Sequence, residues 1–168
     1  MTLPVPGALT TWDLLLRLGA ATLVGAAFGL DREARHKPAG MRTLALVALG
    51  AAMIVVVVVE NPNTGSTFDA NAMSRVMQGI LTGIGFIGAG VIMRTEREQT
   101  VHGLTTAATI WVVAALGITC GAGRWRIVGL AMVLALGTLF TGRFVENAML
   151  RFFQRRDESS HDPPGKDE

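Results

Sequence analysis

Four short segments, each beside a long apolar run, hold much of the polar character of the membrane part of this chain. Gly29-Leu-Asp31-Arg32-Glu33 closes the first run, and Ala39-Gly-Met-Arg42-Thr43 opens the second. Arg94-Thr-Glu96 closes the third, and His102-Gly-Leu-Thr105-Thr106-Ala-Ala-Thr109 opens the fourth. Asp31, Glu33 and Glu96 offer hard carboxylate oxygens of the kind Mg2+ prefers. Arg32, Arg35 and Arg94 lie beside them, so a carboxylate–arginine network accounts for the same residues. His36, His102 and His161 lack metal-ligand spacing, and no cofactor is expected. If the four segments converge, Asp31, Arg32, Glu33, Arg42, Thr43, Arg94, Thr105, Thr106 and Thr109 line one vestibule. The free N–H groups opening the second and fourth runs would face it, and helix N-termini attract anions. The bland alternatives are membrane-edge anchoring for Arg42 and hydroxyls bonding back to their own helix for Thr106 and Thr109.

The apolar runs decide what positions these groups. Residues 43–59, 76–93, 103–123 and 127–142 carry no Asp, Glu, Lys or Arg. A helix needs roughly 17–25 mostly apolar residues to cross a bilayer, and a soluble helix would carry a charged face. The chain is 168 residues long and half hydrophobic. It reads as one all-α membrane domain over 1–150, with five spans at about 11–30, 43–60, 75–93, 104–121 and 126–147. The first span crosses only if it includes Trp12, Asp13 and Arg17; the two charged residues are four apart and can pair, or Arg17 can snorkel. Residues 151–168 are polar and read as a disordered cytoplasmic tail.

Net charge is +2, and the basic residues cluster in the loops after odd spans. The positive-inside rule explains them without a nucleic-acid partner, and it orients the N-terminus outside and the C-terminus in the cytoplasm. Trp12 and Trp125 then lie at the outer interface. The single Cys120 allows no intrachain disulfide, and no basic stretch marks a cleavable signal peptide.

A shift of 63 residues lays spans one and two on spans three and four, with nine identities over the 35 ungapped positions 18–52. Gly25 meets Gly88, Glu33 meets Glu96, Gly40 meets Gly103, and Thr43 meets Thr106. This predicts a parallel repeat of two hairpins plus one extra helix. Small residues recur every four positions at Ala21, Gly25 and Gly29, and again at Gly79 and Gly83, followed by Gly85, Gly88 and Gly90. Such spacing lets helices approach closely in lipid and predicts a packing or partner interface, with a homodimer as one arrangement.

No enzyme signature is present. Gly83-Ile-Gly85-Phe-Ile-Gly88 spells a dinucleotide fingerprint, but it lies inside an apolar run with no strand before it. Trp111 reads as packing.

Gly-Leu-Asp-Arg-Glu (29–33), Ala-Gly-Met-Arg-Thr (39–43), Gly-Ile-Gly-Phe-Ile-Gly-Ala-Gly-Val-Ile (83–92) and Gly-Leu-Thr-Thr-Ala-Ala-Thr-Ile-Trp (103–111) resemble the bacterial MgtC/SapB membrane-protein family over about residues 12–146. The resemblance implies an inner-membrane protein linked to low-magnesium adaptation, and to survival inside host cells in intracellular pathogens. It implies a regulator more than a pump, with the membrane sector of the ATP synthase as a partner. The chain departs from the pattern in its short tail, where many members carry a cytoplasmic domain. It also has Thr105 where some virulence-associated members have Asn. Transport of Mg2+ or another small ion is the alternative expectation.

Overall fold

A computed structural model describes residues 9–60, 70–93 and 103–158, with side chains described as far as Thr141. Five helices follow in order: α1 Thr11–Glu33, α2 Met41–Val59, α3 Ala70–Met93, α4 Leu104–Gly121 and α5 Trp125–Glu158. There are no strands among the described residues. Helices α1 to α4 are each long and apolar enough to cross a membrane. The apolar stretch of α5, Trp125–Thr141, is shorter, at the low end of the crossing range. The chain divides into two compact units, Met1–Met132 and Val133–Glu168.

Local chemistry sets the ends of the helices. Thr10 caps α1: its Oγ1 accepts from the Asp13 N–H at 3.1 Å, and Asp13 Oδ2 accepts from the Thr10 N–H at 3.1 Å. This reciprocal box satisfies two donors that the first turn would otherwise leave bare. Asp13 is thus committed to the cap rather than to an ion pair with Arg17. Helix α1 runs three residues past the expected boundary, because Asp31-Arg32-Glu33 continue the backbone ladder after the apolar run ends. Helix α5 likewise continues through Glu158, so the first part of the expected disordered tail is helical. Helical hydrogen bonds form within the segment itself and do not require apolar side chains.

Within the first unit, α4 is the central element. Of its most apolar stretch 56% is buried, against 6% for α3, and it packs on α1, α2 and α3. The buried face of α1 is Ala21, Val24, Gly25, Phe28, Gly29 and Arg32. That of α2 is Leu44, Ala48, Ala51, Ala52, Val55 and Val56. Both follow the three- and four-residue spacing of one helical stripe.

Lipid is as apolar as these side chains, so close packing rather than water exclusion must hold the helices together. Glycine supplies it. A Cβ on Gly25 would run into the backbone of Leu44, and one on Gly29 into that of Met41. A Cβ on Gly117 would overlap the Ala48 carbonyl, and one on Gly121 would lie 2.6 Å from the Ala52 carbonyl oxygen. Helices α1 and α2 therefore cross as an antiparallel pair, while α2 and α4 run parallel with their backbones nearly touching. A smaller apolar cluster of Ala51, Val55, Met73 and Ile118 joins α2, α3 and α4.

The predicted repeat is visible at these crossings. Gly25 meets Leu44 in the first hairpin, and Gly88 meets Ala107, with an added Cβ 3.5 Å from the Ala107 methyl, in the second. Each residue of the second pair is 63 positions after its counterpart. Gly40 and Gly103, also 63 apart, are the N-caps of α2 and α4. The second hairpin is looser, since Ile92 stands where the first has Gly29.

Candidate functional site: a buried arginine at the helix termini

Where α1 ends, α2 and α4 begin. Arg32 lies in the last turn of α1 and is 5% exposed, which is rare for a guanidinium. Its Nε donates to the Pro38 carbonyl at 3.3 Å, its Nη1 to Thr109 Oγ1 at 3.4 Å, and its Nη2 to Thr106 Oγ1. Thr106 and Thr109 are themselves buried, at 3% and 4% exposed. Thr109 also donates back to the Thr105 carbonyl at 2.7 Å, as the plain reading of a helical threonine expects. Thr106 does not; its oxygen serves Arg32.

The loop is shaped to present Pro38. The Arg35 and Lys37 N–H groups return to the Arg32 carbonyl, and the His36 N–H returns to that of Glu33. His36 and Ala39 adopt positive φ, 53° and 60°. This left-handed geometry disfavours residues with a Cβ. Gly40 then caps α2 without a side-chain oxygen. Glu33 fills that role from the preceding helix, its Oε2 accepting from the Met41 N–H at 3.2 Å. A carboxylate at a helix N-terminus is electrostatically favourable.

Helix α4 has the opposite arrangement. Gly103 caps it with φ 92° and no side-chain hydrogen bond, and the Arg32 cation bonds Thr106 in its first turn. A buried cation against the positive end of a helix is unfavourable. What offsets it here is three oxygen acceptors and the negative C-terminus of α1. The cluster therefore fixes α1 against α4 through directed hydrogen bonds rather than through an ion pair.

The other expected site residues separate. Asp31 pairs with Arg35 one turn away, at 3.2 Å. Glu33 is the cap of α2, so the two carboxylates point into different contacts. Among the described residues no three His, Cys, Asp or Glu side chains come together. Arg42, Thr43 and Thr105 are exposed at the same end. Arg94 and Glu96 lie outside the described residues. Of the nine vestibule residues, the structure brings Arg32, Thr106 and Thr109 into direct contact.

At the far end of α1 a second arginine does related work. Arg17 Nη1 donates to the Gly121 carbonyl at 2.7 Å, satisfying the C-terminus of α4. A Cβ on Gly123, which has φ 67°, would lie 2.9 Å from the Arg17 guanidinium carbon. Arg17 and Arg32 are 15 residues apart, as are Thr106 and Gly121. Two antiparallel helices are thus pinned at both ends. Sequence reasoning missed Gly117, Gly121 and the Arg17 contact. The four-residue spacing of Gly117 and Gly121 was the available signal.

The small residues of α3 differ from those of α1 and α4. Among the described residues, nothing lies within 4 Å of a Cβ built on Gly79, Gly83, Gly85 or Gly90. Trp111 is 48% exposed, on the outer surface of the first unit.

These features define an all-α membrane bundle held by glycine crossings and a buried arginine cluster. The MgtC family pattern matches residues 18–148, and the chain belongs to the MgtC/SapB family. It is similar to the protein SrpB of Synechococcus elongatus, 47% identical over 134 residues covering 76% of this chain and 70% of SrpB. It is similar to SapB of Bacillus subtilis, 40% identical over 116 residues, 68% of this chain and 50% of SapB. It is also similar to MgtC of Salmonella typhimurium, 41% identical over 122 residues, 73% of this chain and 49% of MgtC. The chain thus spans about half the length of the latter two. No solved structure matches it.

Proposed function

We propose that this chain is a non-catalytic membrane regulator, acting in magnesium homeostasis or low-magnesium adaptation by binding another membrane protein within the bilayer. The observation that carries this reading is the unused glycine face of α3. Gly25, Gly29, Gly117 and Gly121 are taken up by internal crossings, whereas Gly79, Gly83 and Gly90 front open space. In lipid such a groove gains energy when another helix fills it. Family resemblance supports the membrane sector of the ATP synthase as the occupant. Family membership supports a bacterial inner-membrane location, and the distribution of Lys and Arg supports the N-terminus outside and the C-terminus inside.

The test is co-purification of ATP synthase membrane subunits after crosslinking in native membranes, with and without magnesium starvation. Gly83→Leu and Gly90→Leu should abolish recovery while the protein still inserts, because neither position is packed against a described residue. Undiminished recovery would sink the reading.

A second reading, transport of Mg2+ or another small ion, rests on the two hairpins running in the same direction, as parallel-repeat transporters do. Protein in liposomes should then pass Mg2+, and Asp31→Asn or Glu33→Gln should pass less. Flux no greater than that of empty liposomes excludes it.

A further inference from the structure

A different face of α3 carries polar side chains without a hydrogen bond among the described residues. Arg75, Gln78, Thr82, Gly85 and Ala89 follow one another at alternating three- and four-residue steps. That is the spacing of a seam between two helices wound in a left-handed pair. All five are exposed. The side chains of Ser74, Gln78 and Thr82 make no hydrogen bond to any described residue. The contrast within the chain is sharp. Thr22, Thr109, Thr119 and Thr138 each donate to a carbonyl of their own helix, whereas Thr82 does not. Thr82 lies at the middle of α3, 12 residues from Ala70 and 10 from Ile92, at the depth where water is scarcest. A carboxamide or hydroxyl without a partner there is costly, and polar side chains in membrane helices are characteristically satisfied by a neighbouring helix.

We infer that this seam of α3 pairs with the same seam of a second copy of the chain, about a two-fold axis along the membrane normal. Three features select a second copy. An amide both donates and accepts, so Gln78 satisfies Gln78 of a second copy with no other chemistry; the Thr82 hydroxyl does the same. Copies inserted with the same topology bring equal depths together, so the register needs no further specification. Gly85 and Ala89 continue the seam with side chains small enough for backbones to approach. Arg75 lies nearest the helix end, where its long side chain can reach the headgroups. The seam is a different stripe from Gly79, Gly83 and Gly90, so this inference does not rest on the regulatory reading. A dimer formed this way leaves the glycine face free for another partner.

Disulfide crosslinking in native membranes tests it. Cys120 is the native thiol and is buried, so Cys120→Ala leaves a clean background. In that background Gln78→Cys and Thr82→Cys should crosslink on oxidation to twice the chain mass. Leu23→Cys and Leu46→Cys, 72% and 68% exposed on α1 and α2, should not. With Cys left out and two dye-labelled populations mixed in liposomes, Gln78→Leu should weaken self-association at least tenfold, and Gly79→Leu should leave it unchanged. Equal crosslinking at Leu23, an adduct of another mass, or undiminished association of Gln78→Leu overturns the proposal. Loss of ATP synthase recovery without loss of the dimer, or the reverse, separates it from the preceding reading.

Discussion

Arg32 gives up nearly all contact with water yet keeps a charge, and its hydrogen-bond partners are three neutral oxygens. Removing it leaves Thr106, Thr109 and the Pro38 carbonyl buried without their donor. Arg32→Met should therefore cost about 3 kcal/mol, from charged hydrogen bonds of about 1.5–3 kcal/mol each partly offset by relief of the buried charge. Arg32→Lys should restore little, because one ammonium cannot span three acceptors that a planar guanidinium forks across. Thr106→Val should cost about 1 kcal/mol. Unfolding in mixed micelles measures all three, and wild-type stability in Arg32→Met would discount the cluster. The glycines make a second residue-scale prediction. Gly25→Ala and Gly117→Ala push a methyl into backbone and should cost about 1–3 kcal/mol or more. Gly50→Ala and Gly79→Ala meet open space and should be neutral or stabilising by up to about 1 kcal/mol. Equal effects at all four positions would mean the crossings are not as described.

Helix α1 acts as a gauge for α4. Arg17 holds one end and Arg32 the other, each 15 residues from its fellow on its own helix, a span of about 22 Å at ~1.5 Å per residue. One alanine inserted after Leu23 would turn the following half of α1 by about 100°. Only one of the two arginines could then stay engaged, and Gly25 and Gly29 would leave α2. The insertion should cost far more than Arg17→Ala, for which about 1–2 kcal/mol is expected from one charged hydrogen bond at a helix end. An insertion no worse than Arg17→Ala would show that the two ends are not coupled through α1. The apolar middle of each helix was legible from charge-free runs, but α1, α3 and α5 extend beyond those runs. What could not be read was which small residues would be used, because Gly83 and Gly117 look alike until their neighbours are known.

For the first unit as a whole, the parallel hairpins predict that the N-termini of α2 and α4 lie on one side of the membrane. Arg42→Cys and Thr105→Cys, both exposed and at that end, should react with an impermeant maleimide from the cytoplasmic side alone. Trp12→Cys, 69% exposed at the opposite end, should react from outside alone. Labelling of residues 42 and 105 from opposite sides would contradict the parallel repeat. Nine identities in 35 positions hinted at that repeat; the matched crossings of Gly25 with Leu44 and Gly88 with Ala107 give it a physical basis.

Embedding in the membrane, the number of helices and the family were determined by the sequence, because they depend on length, hydropathy and local motif, which are properties of contiguous residues. Arg32, Thr106 and Thr109 were also legible as members of a polar cluster at one end. Only the tertiary structure decided that Arg32 turns inward to two threonines while Asp31 and Glu33 turn to Arg35 and to the start of α2. It also decided that α4 is central and α3 peripheral. The arginine contacts depend on which surfaces meet across 74 to 104 residues of chain, from Arg32 to Thr106 and from Arg17 to Gly121. In lipid no water-exclusion force distinguishes one apolar face from another. Backbone clearance and directed hydrogen bonds make the choice, and neither exists until the helices are side by side.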